Sequence, residues 1–447
     1  MHPGRVLERY VAVACCFGIY FFRCLIDDLR QLATQAGSLH RDYLGYSVVR
    51  PVAQKCIGRT VLDPKMLAGE RFGKNFFCLR TPFRSHFYGT QFHIDGYPYT
   101  SQDADATVCA HSALWGVCRY LSERYSAYPE LHPFDLIRMT SNTAGRTAPY
   151  RGMTYTDYSK ILSEFGAHPV IVRARDDEAT VLDPEQFKNI YAYVESGFPV
   201  LASLRLSSGG GHVVSLMGHT INIDATPPKD SEYVDSSHFL KQFVVVDDNA
   251  FPYQPLGYAD DPDNYAGRLY SQGTSPVGTP APRNSIDSIV TAVCPLPEKA
   301  FLLAELARRK LMQFVRDQRT LIATAGPPPY VCRQFITTSY SLKAHKLKLA
   351  REMPVFGNSF HYLTTFVPMP HFVWVMEVAP LAAYRNGLCT AEFVLDATSG
   401  KYDHGLLYMR IGSRLMVSGS TNWVKVDSEQ SSWSLYRHNL GEGAVQP

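Results

Sequence analysis

The chain is poor in the features that mark most specialised protein classes. Charged residues make up only 19% of its 447 positions and nearly cancel, with a formal net charge of +3 and no basic block, so nothing draws it to nucleic acid. Its ten cysteines contain neither a CxxC pair nor a Cys/His spacing of zinc type; Cys15 and Cys16 are adjacent and the rest are scattered, as in a reduced cytoplasmic protein. There is no nucleotide-binding glycine loop, no repeat and no coiled coil, so no cofactor is expected and nothing points to an oligomeric state. No apolar run reaches the roughly twenty residues that a bilayer crossing takes, so stable membrane insertion is not expected.

What is present is an ordinary globular composition, 45% hydrophobic, spread over about three times the usual single-domain length. The pattern divides into an extension with a helix and short strands (1–88), a central domain (89–295) and a C-terminal α+β part (296–447). The apolar stretch at residues 10–22, YVAVACCFGIYFF, is interrupted upstream by Glu8 and closed by Arg23, Asp27 and Asp28, with no small-x-small cleavage site after it. It reads as a buried or interface helix continuing through LIDDLRQLATQ, rather than a signal peptide. YSVVRPV and RTVL read as short strands.

In the central domain, apolar Leu114, Val117, Cys118 and Leu121 recur at helical spacing directly after Cys109. Two further helices are marked by local chemistry. TYTDYSKILSEFG offers Thr154 or Thr156 as a cap and Gly166 as a stop; DPEQFKNIYAYVESG opens on Asp183 and Pro184 and ends before Gly197. Four runs rich in valine and isoleucine follow as strands, PVIV, PVLASLRL, HVVSLMGHTINI and QFVVVDD, and SIVTAVCPL joins them. Helices first and strands after indicate an α+β domain, with a mainly antiparallel sheet packed on the helix that begins at Cys109. Residues 260–285 read as an exposed loop. Beyond it, EKAFLLAELARRKLMQFVRD reads as an amphipathic helix, and RQFITTSY, HFVWVMEVA, AEFVLDA and LLYMRI as strands.

Cys109 stands where the first free amides of a helix point, a place that favours thiolate; a buried structural cysteine is the competing reading. A thiol acting on a carbonyl needs a base, a group to orient it and donors for the oxyanion. His212, after three glycines in SSGGGHVVSLMGH, is the candidate base, the alternative being a strand histidine satisfied by backbone groups. His219 has the opposite strand parity and should point to the other face. His111, two positions along the helix, should point away from Cys109. VVVDDNAFP supplies Asp247, Asp248 or Asn249 to orient the histidine; Asp247 ends the apolar run directly, and its carboxylate would favour the imidazolium. Gln102 could donate its amide to the oxyanion, beside the Cys109 backbone N–H.

In this order, QDADATVCAHSALW, YRGMTYTDYSKILSEFGAHPV, SGFPVLASL and GGGHVVSLMGH followed by VVVDD resemble the papain-like cysteine peptidase superfamily. The likeness is closer to its bacteriocin-leader-processing (double-glycine peptidase-like) branch than to papain, over about residues 90–295. The resemblance implies a papain-like α+β fold and a thiol hydrolase with Cys109 as nucleophile, His212 as base, Asp247 as orienting acid and Gln102 as oxyanion donor. Its partner would be a protein or peptide substrate. The Gln-to-Cys interval is one residue longer than the family pattern, Ala110 and His111 stand where a glycine is common, and the His-to-Asp interval is long, with room for a hairpin at TPPKDSEYVDSSHFLK. Acyl transfer or deamidation would use the same residues. A non-catalytic interaction protein with a papain-like scaffold is a second reading, and a metal site on Cys109, His212 and Asp247 a third.

Overall fold

The first apolar run forms two strands, not a helix: β1 (Val11–Cys15) and β2 (Gly18–Phe22) pair antiparallel. Most of its residues are valine, isoleucine, tyrosine and phenylalanine, which fit a pleated sheet better than a helix, and a short apolar run has no period to separate the two. The computed structural model describes residues 11–15, 18–26, 28, 36–51, 55–67, 76–102, 109–140, 152–173, 182–205, 211–250, 252–258, 285–352, 357–399, 405–418, 424–425, 432–437, 439 and 441–442. Most of LIDDLRQLATQ and the loop at 260–285 therefore lie outside the described residues, apart from the last position, Ser285.

After helix α1 (Ala36–Asp42), strands β3 (Tyr43–Val49) and β4 (Ile57–Leu62) complete a four-stranded sheet in the order β1-β2-β3-β4. The short β5 (Phe76–Cys78) comes next, then the hairpin of β6 (Thr81–Phe87) and β7 (Thr90–Gly96). Burial alternates along β6, and its inward side chains pack with Phe22 and Tyr43 of the four-stranded sheet.

Helix α2 (Cys109–Arg124) starts at the cysteine, followed by α3 (Pro133–Thr140) and α4 (Tyr155–Phe165). Thr154 and Asp157 form a capping box at the start of α4, and Gly166, at φ 101°, ends it in the left-handed conformation that glycine tolerates. Then come β8 (His168–Arg173) and α5 (Pro184–Glu195), which has its own capping box from Asp183 and Gln186. Strands β9 (Val200–Arg205), β10 (Gly211–Ile221), β11 (Tyr233–Asp235), β12 (Leu240–Val246), β13 (Gln254–Gly257) and β14 (Ile289–Leu296) follow. Apart from β11 they form an antiparallel sheet ordered β13-β12-β10-β9-β14-β8, with β5 also paired to β10.

A β-bulge between Leu216 and Gly218 breaks the register of β10 against β12. At Gly218 the chain passes so close to β5 that a Cβ would lie 2.2 Å from the Phe77 carbonyl oxygen, which is why a glycine stands there. Strand β11 is not half of a local hairpin in the interval between His212 and Asp247. It leaves the first sheet and pairs parallel with β15 (Tyr330–Thr338) of a second one.

That second sheet runs β11, β15, β16 (Phe372–Pro380), then Ala391–Asp396, Leu406–Ile411, Arg414–Val417 and Val424–Lys425. Helix α6 (Ala304–Asp317) precedes it; α7 (Ser339–Glu352) and α8 (Gly357–Phe366) lie between β15 and β16. The result is a layered α+β protein. Leu114, Val117 and Leu121 of α2 and Ile161 of α4 cover one face of the first sheet, against Val213, Met217, Val244 and Val246. On its other face Val214, Leu216 and Val245 share a core with α5, α6 and Trp374, Met376 and Phe393 of the second sheet. Phe360 and Leu363 of α8 and Leu342 of α7 cover the far side. Each such fully buried side chain contributes roughly 1.5–3 kcal/mol relative to exposure. Among the described residues no helix is long and apolar enough to cross a membrane.

Candidate active site

Cys109, half-buried, opens α2, and His212 is the second residue of β10. The fold sets helix and strand against each other: the Ser215 hydroxyl donates to the Ala113 carbonyl oxygen at 3.1 Å. Cys109 lies close enough to the His212 ring for a side-chain hydrogen bond and a charge interaction. The ring's Nε2 donates to Asp247 Oδ1 at 3.0 Å, which leaves Nδ1 as the nitrogen for the sulfur. Both His212 and Asp247 are buried. Burial by itself pulls the histidine pKa down, but the Asp247 carboxylate and the bond to Cys109 more than offset it and raise it to about 11.

The turn after β12 places all three candidates for the orienting group. Asp247 is held by its own neighbour, since the Asn249 N–H donates to Asp247 Oδ1 at 2.9 Å. Asp248 lies farther off, with Oδ1 3.9 Å from His212 Nε2, and neither of its buried carboxylate oxygens meets a hydrogen-bond donor among the described residues. Burial first, and then the charge of Asp247, push its pKa up to about 6, against an opposing pull from His212 and Lys55. Asn249 faces outward and accepts from Lys55 Nζ at 2.5 Å and from Gln102 Nε2 at 3.1 Å.

Gln102 is therefore beside the Asp247–Asn249 turn. Residues 103–108, which join it to Cys109, lie outside the described residues. His111 is buried within α2. His219 is buried near the far end of β10, bonded to Glu195 and flanked by the rings of Tyr191 and Phe77. The bulge at Met217 means that strict alternation does not carry from His212 to His219; position along the strand separates them, not parity.

No family model, no curated protein and no solved structure matches this chain. Function must be read from the side chains themselves. Two contributions were not visible in the sequence. Tyr158 of α4 is close enough to Cys109 for the two to interact electrostatically, and its hydroxyl shares a 2.5 Å hydrogen bond with Ser203 of β9. In the sequence it looks like one more apolar position of an amphipathic helix. Arg50 and Lys55 reach the site from the loop between β3 and β4, a contact across the chain that no local pattern announces.

His212, Asp247 and Asp248 also present three ligand atoms within 4.8 Å of one another. That set offers the nitrogen and oxygens a divalent cation accepts, but it excludes the sulfur, and a cation there would compete with the hydrogen bond between His212 and Asp247. With that bond formed, the group has the parts of a nucleophilic site: a thiol, a ring that can give and take its proton, and a buried carboxylate that holds the ring.

Proposed function

We propose that this protein is a thiol hydrolase that cleaves a peptide or isopeptide bond through an acyl-enzyme. The observation that carries the reading is one buried imidazole, hydrogen-bonded to Asp247 and within interaction range of Cys109. Asp247 favours the imidazolium, and an imidazolium beside sulfur stabilises thiolate.

The sulfur attacks the carbonyl carbon, a C–S bond forms, and the carbonyl oxygen takes up negative charge. Gln102 and the Cys109 backbone N–H are the donors for that oxygen. As the oxyanion collapses the C–N bond breaks, and the imidazolium gives its proton to the departing amine. Water then attacks the thioester, the now neutral imidazole takes its proton, and the acid leaves with thiol and ring restored. An amine in place of water would make the same site a transferase; a glutamine side chain as substrate would make it a deamidase.

The papain-like resemblance belongs to this reading, supported by a nucleophile at the first turn of a helix packed on an antiparallel sheet. So does a cytoplasmic location, which would keep the thiol reduced. The test is labelling by a thiol-directed acyl probe in wild type, Cys109→Ala and His212→Ala. Labelling is expected to need both residues. Equal labelling after His212→Ala would favour a non-catalytic scaffold, and one bound zinc per chain with an unreactive Cys109 would favour the metal site. Comparison of new protein N-termini in cells expressing wild type or Cys109→Ala would then identify substrates.

A further inference from the structure

Arg50 follows β3 in the N-terminal sheet, outside the segment that carries the thiol, yet its Nη2 lies within hydrogen-bond reach of four acceptors. They are the carbonyl oxygens of Lys55 (2.7 Å), Ser101 (2.9 Å) and Gln102 (3.2 Å) and the Ser101 hydroxyl (2.9 Å). The Ser101 hydroxyl, with its one hydrogen, lies within donating distance of the carbonyl oxygens of Lys55 and Ile57, at 2.7 and 2.5 Å. Lys55, held at φ 52° where only glycine is at ease, turns that carbonyl inward. Its ammonium reaches the other way, to Asn249 Oδ1, the same atom that accepts from Gln102. Asn249 closes the circuit through its backbone bond to Asp247. One short segment of the extension thus grips both the stretch that ends at Gln102 and the turn that holds His212.

We propose that Arg50 and Lys55 are positioning residues that set the Gln102 amide for the oxyanion. An amide nitrogen has two hydrogens; the bond to Asn249 takes one and fixes where the other points. Arg50 holds the backbone of Gln102 and Lys55 holds the acceptor that orients its side chain. The N-terminal sheet is then part of the catalytic apparatus. This rests on the thiol-hydrolase reading.

The test uses two small reagents on the full chain. Acylation by p-nitrophenyl acetate passes through an oxyanion; alkylation by iodoacetamide needs only the thiolate. Arg50→Ala is expected to slow the p-nitrophenolate burst about tenfold or more, while the alkylation rate and its pH profile stay within about twofold. Arg50→Lys, which keeps the charge but loses the fork, should fall between. If Arg50→Ala does not fold, Lys55→Met and Asn249→Ala, changed at an exposed contact, should show the same split. Acylation and alkylation falling together, or acylation unchanged, would overturn the proposal. A wild-type Cys109 whose reactivity ignores His212→Ala would overturn the hydrolase reading and this proposal with it.

Discussion

Ser215 and Ala113 join the two elements that bring sulfur and imidazole together: the hydroxyl of a fully buried serine on β10 donates to a main-chain carbonyl in the first turn and a half of α2. The helix loses nothing by it, because a carbonyl oxygen has two lone pairs and can also serve its own helix. Ser215→Ala should cost about 1 kcal/mol of stability, the net worth of one buried hydrogen bond. It should also reduce Cys109 alkylation, since β10 could slide on α2. Urea unfolding and the iodoacetamide rate measure the two effects; an alkylation rate at the wild-type level would mean that packing alone sets the pairing.

The state of His212 fixes a pH signature. Its folded pKa, about 11, stands above the ordinary histidine value of 6.5, so its protonated form stabilises the fold. That stabilisation is fully present below pH 6.5 and is lost as pH rises towards 11. Asp247→Asn removes the charge that raises it. The variant should lose stability most below about pH 6.5 and converge on wild type at strongly alkaline pH, as followed by thermal unfolding. A constant difference at every pH would mean that Asp247 acts by packing and not by charge.

Asp248 carries the opposite burden. A carboxyl raised from 3.8 to about 6 favours the folded state while protonated and disfavours it once charged, so its contribution falls as pH rises through about 6. Asp248→Asn should therefore match wild type near pH 4 and exceed it by about 3 kcal/mol near pH 8, a rise of several degrees in Tm. Scanning calorimetry at the two pH values decides it. A loss of stability at the higher pH would show that the charge is needed, most directly as a second partner for His212.

Arg333 of β15 bridges Glu195 and Glu377, at 2.5 and 2.6 Å, with all three side chains buried. Glu195 also bonds His219, and Glu377 accepts the Tyr436 N–H at 2.8 Å. Burial opposes the charge on Glu195, yet Arg333 and His219 hold its carboxyl far below the usual range. Arg333→Met would leave two buried carboxylates facing each other and should cost about 3–5 kcal/mol. Adding Glu195→Gln and Glu377→Gln should recover much of that loss. Denaturant titration of the single and triple variants tests this, and a triple variant no better than the single would refute it.

Features governed by neighbours in the chain were legible from the residues alone. A cap at Thr154 or Thr156, the Asp183–Pro184 helix opening, the glycine stop at 166, the valine-rich strands and a cysteine at a helix start all follow from local backbone chemistry; the structure chose Thr154 and added Asp157 and Gln186 as the partners of the caps. The antiparallel α+β arrangement follows from their order. What tertiary structure decided has long-range causes. A run of apolar residues without period became a hairpin because a neighbouring sheet was there to receive it. A bulge at Met217, beside the close approach of β5 at Gly218, cancelled the alternation by which the two histidines of β10 were told apart. β11 found its partner in the second sheet, almost a hundred residues on. The turn after β12 put Asp247 rather than Asp248 on the imidazole, and Arg50 and Lys55 met Gln102 and Asn249 only because folding closed the distance. Hydrogen bonds and hydrophobic periods repeat along a chain and can be read there; proximity between distant segments depends on how whole layers pack, and no short stretch of sequence contains it.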